Sequence, residues 1–183
     1  MRLRFLTLGF LGCLTAVPAL AALNVGDPAP DFSADAAVGG KHFRFSLKQA
    51  LGHGPVVLYF FPKAFTSGCT VEAHEFSEAA GSFAAAGATL IGMSSDNIDT
   101  LSDFSTRECR AKFPVAADPD LSVIRAYDAV MMRLPGFGGM SDRTSYVISP
   151  DAKILMSYSA LAPDEHVTRS LATVQKWHAD HPK

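Results

Sequence analysis

VVLYFFPKAFTSGCTVEAHEF, residues 56–76, decides how the rest of the chain reads. The run Val56–Phe61 is apolar without a break and is closed on both sides by prolines, Pro55 and Pro62. A run of that length predicts a strand buried on both faces of a sheet. A short polar turn follows, and then Cys69 at the expected first turn of a helix. From there to Ala86, Phe76, Ala79, Ala80 and Phe83 make one apolar stripe, with Glu72, Glu75 and Glu78 placed elsewhere. The spacing predicts an amphipathic helix that stops at Gly87.

The same pattern extends outward. LNVGDPAPDFS is Pro-rich and extended, GGKHFRFSL is a short edge strand or hairpin arm, and KQALGHGP is a short helix or turn. ATLIGMSSD is a second buried strand. The helix NIDTLSDFSTRECRAKF comes next, capped by Asp96 or Asn97, with Ile98, Leu101 and Phe104 or Ser105 inward. PVAAD is a short strand and PDLSVIRAYD a short helix. RTSYVISPDAKILMSYSAL is a hairpin turning at Ser149–Ala152. The final helix carries Val167, Leu171, Val174 and Trp177 on its core face. Alternating strands and helices, closed by a hairpin, predict an α/β thioredoxin-like fold: a central mixed β-sheet with helices on both faces.

Composition bounds the function. The chain has 183 residues, 48% hydrophobic and 19% charged, enough for one domain with its own core. A net charge of −2 offers no basic face for nucleic acid. MRLR followed by FLTLGFLGCLTAV and PALA reads as a signal peptide over residues 1–21, cut after Ala21 within an A-x-A site formed with Ala19. The expected mature domain is 22–183, exported to the periplasm and free of the membrane once cut. Pro18 and the small residues argue against a membrane span, and the apolar run continues past Cys13, against lipidation there. Losing Arg2 and Arg4 takes Lys+Arg from 16 to 14 against 18 acids, a net of −4.

Only Cys69 and Cys109 then remain, and in an oxidising compartment two cysteines most often form a structural disulfide. The surroundings of Cys69 favour chemistry instead. The nucleophile of a cysteine is its thiolate, and a helix N-terminus supplies unpaired N–H donors and the positive end of a dipole. Pro62 shields the site and stiffens the turn. The Thr66 hydroxyl accepts from the helix amides or donates towards the thiol and its substrate. Gly68 permits close approach. A thiolate among such donors suits attack on an oxygen–oxygen bond, where charge on the departing oxygen needs stabilising.

Pro62, Thr66 and Cys69 form P-x-x-x-T-x-x-C, which resembles the active-site motif of peroxiredoxins. YFFPKAFTSGCTVEAHEF, with GDPAPDF near the mature start and RTSYVI near the end, is similar to the PrxQ or bacterioferritin comigratory protein subfamily. The resemblance implies that Cys69 is the peroxidatic cysteine and Arg143 the active-site arginine, whose fork of donors would stabilise the thiolate and orient the peroxide. It implies a peroxide substrate, a thioredoxin-like or other thiol reductant, no cofactor, and a monomer or homodimer.

One position departs from the subfamily. Many members carry a second cysteine five residues after the first, where this chain has His74, read here as a solvent-facing helix residue. Three states follow for Cys109: it resolves Cys69 within the chain, it is a passive buried thiol, or the cycle uses one cysteine and an external thiol. The first is preferred, because a sulfenic acid in an exported protein needs protection from over-oxidation. The rival from another class is a non-catalytic thioredoxin-fold module, disulfide-stabilised or metal-binding. Met131, Met132 and Met140 read as packing in an apolar loop from Val130 to Met140 that lines the pocket or a dimer contact. Asp118 and Asp120 read as turn and cap residues. No phosphate loop, dinucleotide fingerprint, zinc spacing or C-x-x-C is present.

Overall fold

The computed structural model describes residues 22–131 and 139–182. The expected leader 1–21 and most of the 130–140 loop, Met132 included, lie outside the described residues. Seven strands form one mixed sheet in the order β2-β1-β5-β4-β3-β6-β7. In chain order the elements are β1 (Ser33–Val38), β2 (Lys41–Ser46), α1 (Leu47–Leu51), β3 (Val56–Phe60), α2 (Ser67–Ala85), β4 (Thr89–Ser94), α3 (Ile98–Arg107), β5 (Val115–Ala117), α4 (Ser122–Ala126), β6 (Thr144–Ile148), β7 (Ile154–Ser159) and α5 (His166–Asp180). β3 runs parallel to β4 and antiparallel to β6, and β4 runs parallel to β5. Antiparallel β1–β2 and β6–β7 hairpins close the two edges.

Every residue of β3 is buried, because its side chains alternate between two cores. Val56, Leu58 and Phe60 join Leu47 and Leu51 of α1 and Val123 and Ile124 of α4. Val57, Tyr59 and Phe61 join Phe76 and Phe83 of α2, Leu101 and Phe104 of α3, and Val167 and Val174 of α5. Helices therefore cover both faces, and the apolar run has no polar alternate because neither face meets water. Each large apolar side chain so buried contributes roughly 1.5–3 kcal/mol. Tyr59 lies so closely over Gly92 that a Cβ there would be 2.7 Å from its ring.

Five readings change in detail. β1, with the weak strand formers SADAAV, is a full strand between β2 and β5 and packs under α3. Helix α2 starts at Ser67, which makes Cys69 its third residue. Helix α3 ends at Arg107, so Cys109 lies just beyond it. Glu72, placed by sequence away from the apolar stripe, is fully buried. Trp177 is only half-buried and stacks on His181, while His166 and Ser170 are among the residues that turn α5 inward.

Candidate active site

The site begins where β3 ends. Phe61 N–H donates to Met93 C=O at 3.0 Å and extends the strand pairing by one residue. Pro62 then stops the ladder, since it has no N–H to give. The turn that follows is held by Asp96. Its carboxylate accepts from Ala64 N–H at 2.7 Å and Ser94 Oγ–H at 2.9 Å, and it pairs with Lys63 Nζ at 3.3 Å. Asn97 takes the capping role for α3, accepting from Thr100 N–H at 2.9 Å. Phe65 sits in the left-handed region at φ 63°, a conformation that costs roughly 1–2 kcal/mol for a residue with a Cβ. Its ring packs edge-on against Phe104, with the Arg107 guanidinium over it.

Thr66 is the extended residue that starts α2, yet its side chain does not cap the helix. Its hydroxyl donates to Lys63 C=O at 2.9 Å, so in this state it neither accepts from the helix amides nor donates towards the thiol. The first bond of α2 runs from Thr70 N–H to Thr66 C=O. The N–H groups of Ser67, Gly68 and Cys69 precede it, the orphan donors of a helix start. No acidic side chain occupies this first turn.

Cys69 is buried, 1% exposed, beneath exposed Thr66 and Ser67. Arg143, immediately before β6, reaches it from the strand paired with β3: Nη2 lies 3.6 Å from Cys69 Sγ. The guanidinium is held at two further points. Nε donates to Leu161 C=O at 2.9 Å, and Nη1 donates to Glu72 Oε2. Burial works against the Arg143 charge, but Glu72 and Cys69 outweigh it and push its pKa up. Burial pushes the Glu72 carboxyl up to about 8 despite the pull of Arg143.

Of the sequence-predicted residues, Cys69 and Arg143 meet; Thr66 starts the helix that carries Cys69, and Pro62 opens the turn before it. Glu72 was not foreseen as part of the site, although Cys69, Glu72, Ala73 and Phe76 fall at the 0, 3, 4, 7 spacing of a single helix face. Asp96 gave no signal beyond its capping potential. Tyr59 was legible only as core, but its buried hydroxyl has no hydrogen-bond partner. Burial raises its pKa well above the ordinary value, reinforced by Cys109, Glu72 and Cys69 and opposed by Arg143.

Cys69 and Cys109 are both buried free thiols that belong to the same core on the α2 face of the sheet. Burial pushes the Cys109 thiol far up. His74 is half-buried rather than simply solvated, and its Nε2 lies 2.8 Å from Glu108 Oε2, beside Cys109. Asp118 caps α4 through Ser122 N–H and Ile124 N–H, as its turn position implied. Among the described residues no group of three His, Cys, Asp or Glu side chains is arranged to hold a metal ion.

Residues 25–157 match the AhpC/TSA family. The chain belongs to that family. A Mycobacterium tuberculosis (strain H37Rv) relative that bears a peroxiredoxin name is 32% identical over 154 residues, covering 84% of this chain and 97% of that protein. Peroxiredoxin Bcp of Xanthomonas campestris is 29% identical over 132 residues, 71% of this chain and 81% of that one. The crystal structure of peroxidoxin BcpB from Mycobacterium tuberculosis aligns with a TM-score of 0.75 at 32% identity, over 83% of this chain and 96% of that chain. The protein is a Bcp/PrxQ-like peroxiredoxin, a thiol peroxidase with the thioredoxin-like fold. Peroxiredoxins act on peroxides and take electrons from thioredoxin-like reductants.

Proposed function

We propose that Cys69 is the peroxidatic residue and that Cys109 resolves it within the chain. The observation that carries the Cys69 assignment is the Arg143 Nη2 contact with Cys69 Sγ at 3.6 Å, at the first turn of α2; what supports Cys109 is that it is a free thiol in the same core. In the first step the Cys69 thiolate attacks one peroxide oxygen. The S–O bond forms, the O–O bond breaks, and the departing oxygen leaves as water or alcohol after taking a proton. In this reading Arg143 and the amides of the first turn stabilise the charge that develops, and the Thr66 oxygen accepts the peroxide O–H. In the second step the Cys109 thiol attacks the sulfenic acid, forming a disulfide and releasing water. An external dithiol then reduces that disulfide by exchange. Hydrogen peroxide and small organic hydroperoxides are the proposed substrates.

A one-cysteine cycle is the second reading, and the complete burial of Cys109 favours it. The test is to add one equivalent of peroxide and map the thiols by mass spectrometry. An intramolecular Cys69–Cys109 disulfide supports resolution within the chain. Stable sulfenic acid at Cys69 beside free Cys109 supports the external thiol. Peroxide turnover retained in Cys69→Ser would end both readings.

We also propose export, with residues 1–21 as a cleaved leader and the mature domain in the periplasm as a monomer or homodimer. The charge and apolar pattern of that segment support it. Among the described residues no helix is long and apolar enough to cross a membrane. N-terminal sequencing of the protein recovered from a periplasmic fraction tests the cleavage.

A further inference from the structure

Behind Arg143 lies a polar cluster that the peroxide step does not itself use. Glu72, Ser145 and His166 come from α2, β6 and α5, and none has measurable exposure. Glu72 Oε2 is taken by Arg143, but Oε1 has no hydrogen-bond partner. It faces His166 Nδ1 at 3.8 Å. The ring is otherwise fixed: Nε2 lies 3.0 Å from Ala160 C=O, and Nδ1 lies 2.8 Å from Ser145 Oγ. A carbonyl can only accept, so Nε2 carries the hydrogen and Nδ1 presents its lone pair, accepting from Ser145. Burial lowers the His166 pKa, with Arg143 acting the same way, against the Ala160 bond and Asp142. The ring is therefore a neutral acceptor aimed past Ser145 at an unpartnered carboxyl oxygen.

We propose that His166 is a positioning residue for the peroxide step: it receives the proton-bearing oxygen of Glu72, and so sets how much of the Arg143 charge is left for Cys69. This rests on the reading of Cys69 as the reacting thiol. As a carboxylate, Glu72 neutralises Arg143. As a carboxylic acid it leaves the guanidinium charge to the sulfur, and its O–H becomes a donor for which His166 Nδ1 is the facing acceptor. The 3.8 Å separation is roughly 1 Å longer than such a bond, so closing it takes a rotation of the carboxyl together with a turn of the Ser145 O–H away from the single Nδ1 lone pair. No covalent bond changes here. One proton from solvent resides on Glu72, and the Arg143 charge is redistributed. Besides Arg143, the charged groups that act on Glu72 and His166 are Glu75 on α2 and Asp142 beside Arg143, while Glu72 in turn acts on Tyr59 of β3 and Cys69 on Arg143. The Tyr158 ring of β7 packs edge-on against the imidazole.

The consequence is an alkaline limb in the rate of Cys69 oxidation, where Glu72 loses its proton. His166→Gln keeps an amide donor for Ala160 C=O and removes the ring acceptor, so the protonated carboxyl is less well held. Ser145→Ala removes the competing donor on Nδ1 and leaves that acceptor wholly to Glu72. The experiment uses the full chain and measures the rapid-quench rate of Cys69 oxidation by hydrogen peroxide from pH 5 to 10. His166→Gln should move the alkaline limb down by about one pH unit, Ser145→Ala should move it up, and Glu72→Gln should remove it. In the Glu72→Gln background, His166→Gln should change the rate less than about twofold, because the two residues act as one unit. An unmoved limb in both His166→Gln and Ser145→Ala overturns the proposal, as does an equal loss from His166→Gln with and without Glu72. Should His166→Gln not fold, the direction of the Ser145→Ala shift decides alone. Turnover retained in Cys69→Ser would instead remove the underlying reading, so the two failures are distinguishable.

Discussion

Gly68 leaves the space that Arg143 fills: a methyl group on Gly68 would lie 3.0 Å from Arg143 Nη2 and 3.9 Å from its Cζ. The guanidinium cannot retreat freely, because Leu161 and Glu72 hold its other nitrogens. Gly68→Ala should therefore push Nη2 off the sulfur by a few tenths of an ångström. The backbone itself gains, since alanine is favoured over glycine in a helix by up to about 1 kcal/mol. The expected result is a melting temperature equal to or above wild type, with a peroxide rate lowered about tenfold, in line with a displaced transition-state donor. Thermal melts and single-turnover rates on the same sample check both halves. An unchanged rate would mean that the Arg143–Cys69 approach is not needed for the reaction.

Arg143→Met removes that donor altogether. It also leaves the buried Glu72 carboxyl, protonated below about pH 8, without its charged hydrogen-bond donor, a loss of about 1.5–3 kcal/mol. The peroxide rate should fall by about 100-fold or more, and the protein should melt markedly earlier. Stopped-flow oxidation and calorimetry measure the two effects. Loss of stability with an undiminished rate would make Arg143 a structural partner of Glu72 only.

Glu72 gives a pH signature to stability. Its carboxyl is pushed up to about 8 in the fold, mainly by burial. Below about pH 4.5 folded and unfolded chains both hold the proton, and Glu72 contributes no pH dependence. Between there and about pH 8 the folded state keeps a proton that the unfolded state has released, so stability falls as pH rises, by up to about 5 kcal/mol over the whole window. Glu72→Gln should flatten that decline, whatever it does to absolute stability. Urea midpoints at one-unit intervals from pH 5 to 9, wild type against variant, check it. Parallel curves would show that the carboxyl titrates normally within the fold.

Much of this was legible in the chain itself, and the reason differs by residue. β3 was legible because a strand buried on both faces needs no polar alternates, and Val56–Phe61 has none. Cys69 was legible because local order alone, a buried strand, a proline turn and a helix start, fixes its surroundings. Glu72 was misplaced because a carboxylate on a helix is normally solvated, and the cation that alters this arrives from residue 143. Ser145 and His166 meet only through the crossing of β6 and α5, which no local pattern encodes. β1 was hidden by its alanines: Ala36 and Ala37 are fully buried on opposite faces, Ala36 in the α1/α4 core and Ala37 on the α3 side, where small side chains fit whatever their strand propensity.

The step that brings Cys109 to Cys69 supplies the last prediction. A disulfide requires Cα atoms within roughly 7 Å, and both thiols are buried and free. The Cys109 segment is held by several bonds. Its N–H donates to Phe104 C=O at 3.1 Å, its C=O accepts from Lys112 N–H at 2.9 Å, and Ala111 N–H donates to Ser105 C=O at 2.9 Å. The adjacent Glu108 is tied to His74 of α2 at 2.8 Å. Opposing these bonds, Arg110 and Ala111 both sit in the left-handed region, at φ 51° and 55°. Two such residues store roughly 1–2 kcal/mol each, released when the segment opens. The segment is thus latched from outside and strained from within, and the two influences should be separable. His74→Ala removes the latch and should speed disulfide formation several-fold. Ala111→Gly removes the strain without breaking a bond, stabilises the closed state by about 1 kcal/mol, and should slow disulfide formation about fivefold. Neither residue touches Cys69, so the peroxide rate should hold constant in both. Double-jump quench experiments, with peroxide first and alkylation at set delays, time the disulfide separately from the sulfenic acid. Opposite shifts in the two variants support release of a strained segment as the gate to resolution. Identical disulfide kinetics in wild type and both variants would place the rate-limiting movement elsewhere, at the first turn of α2.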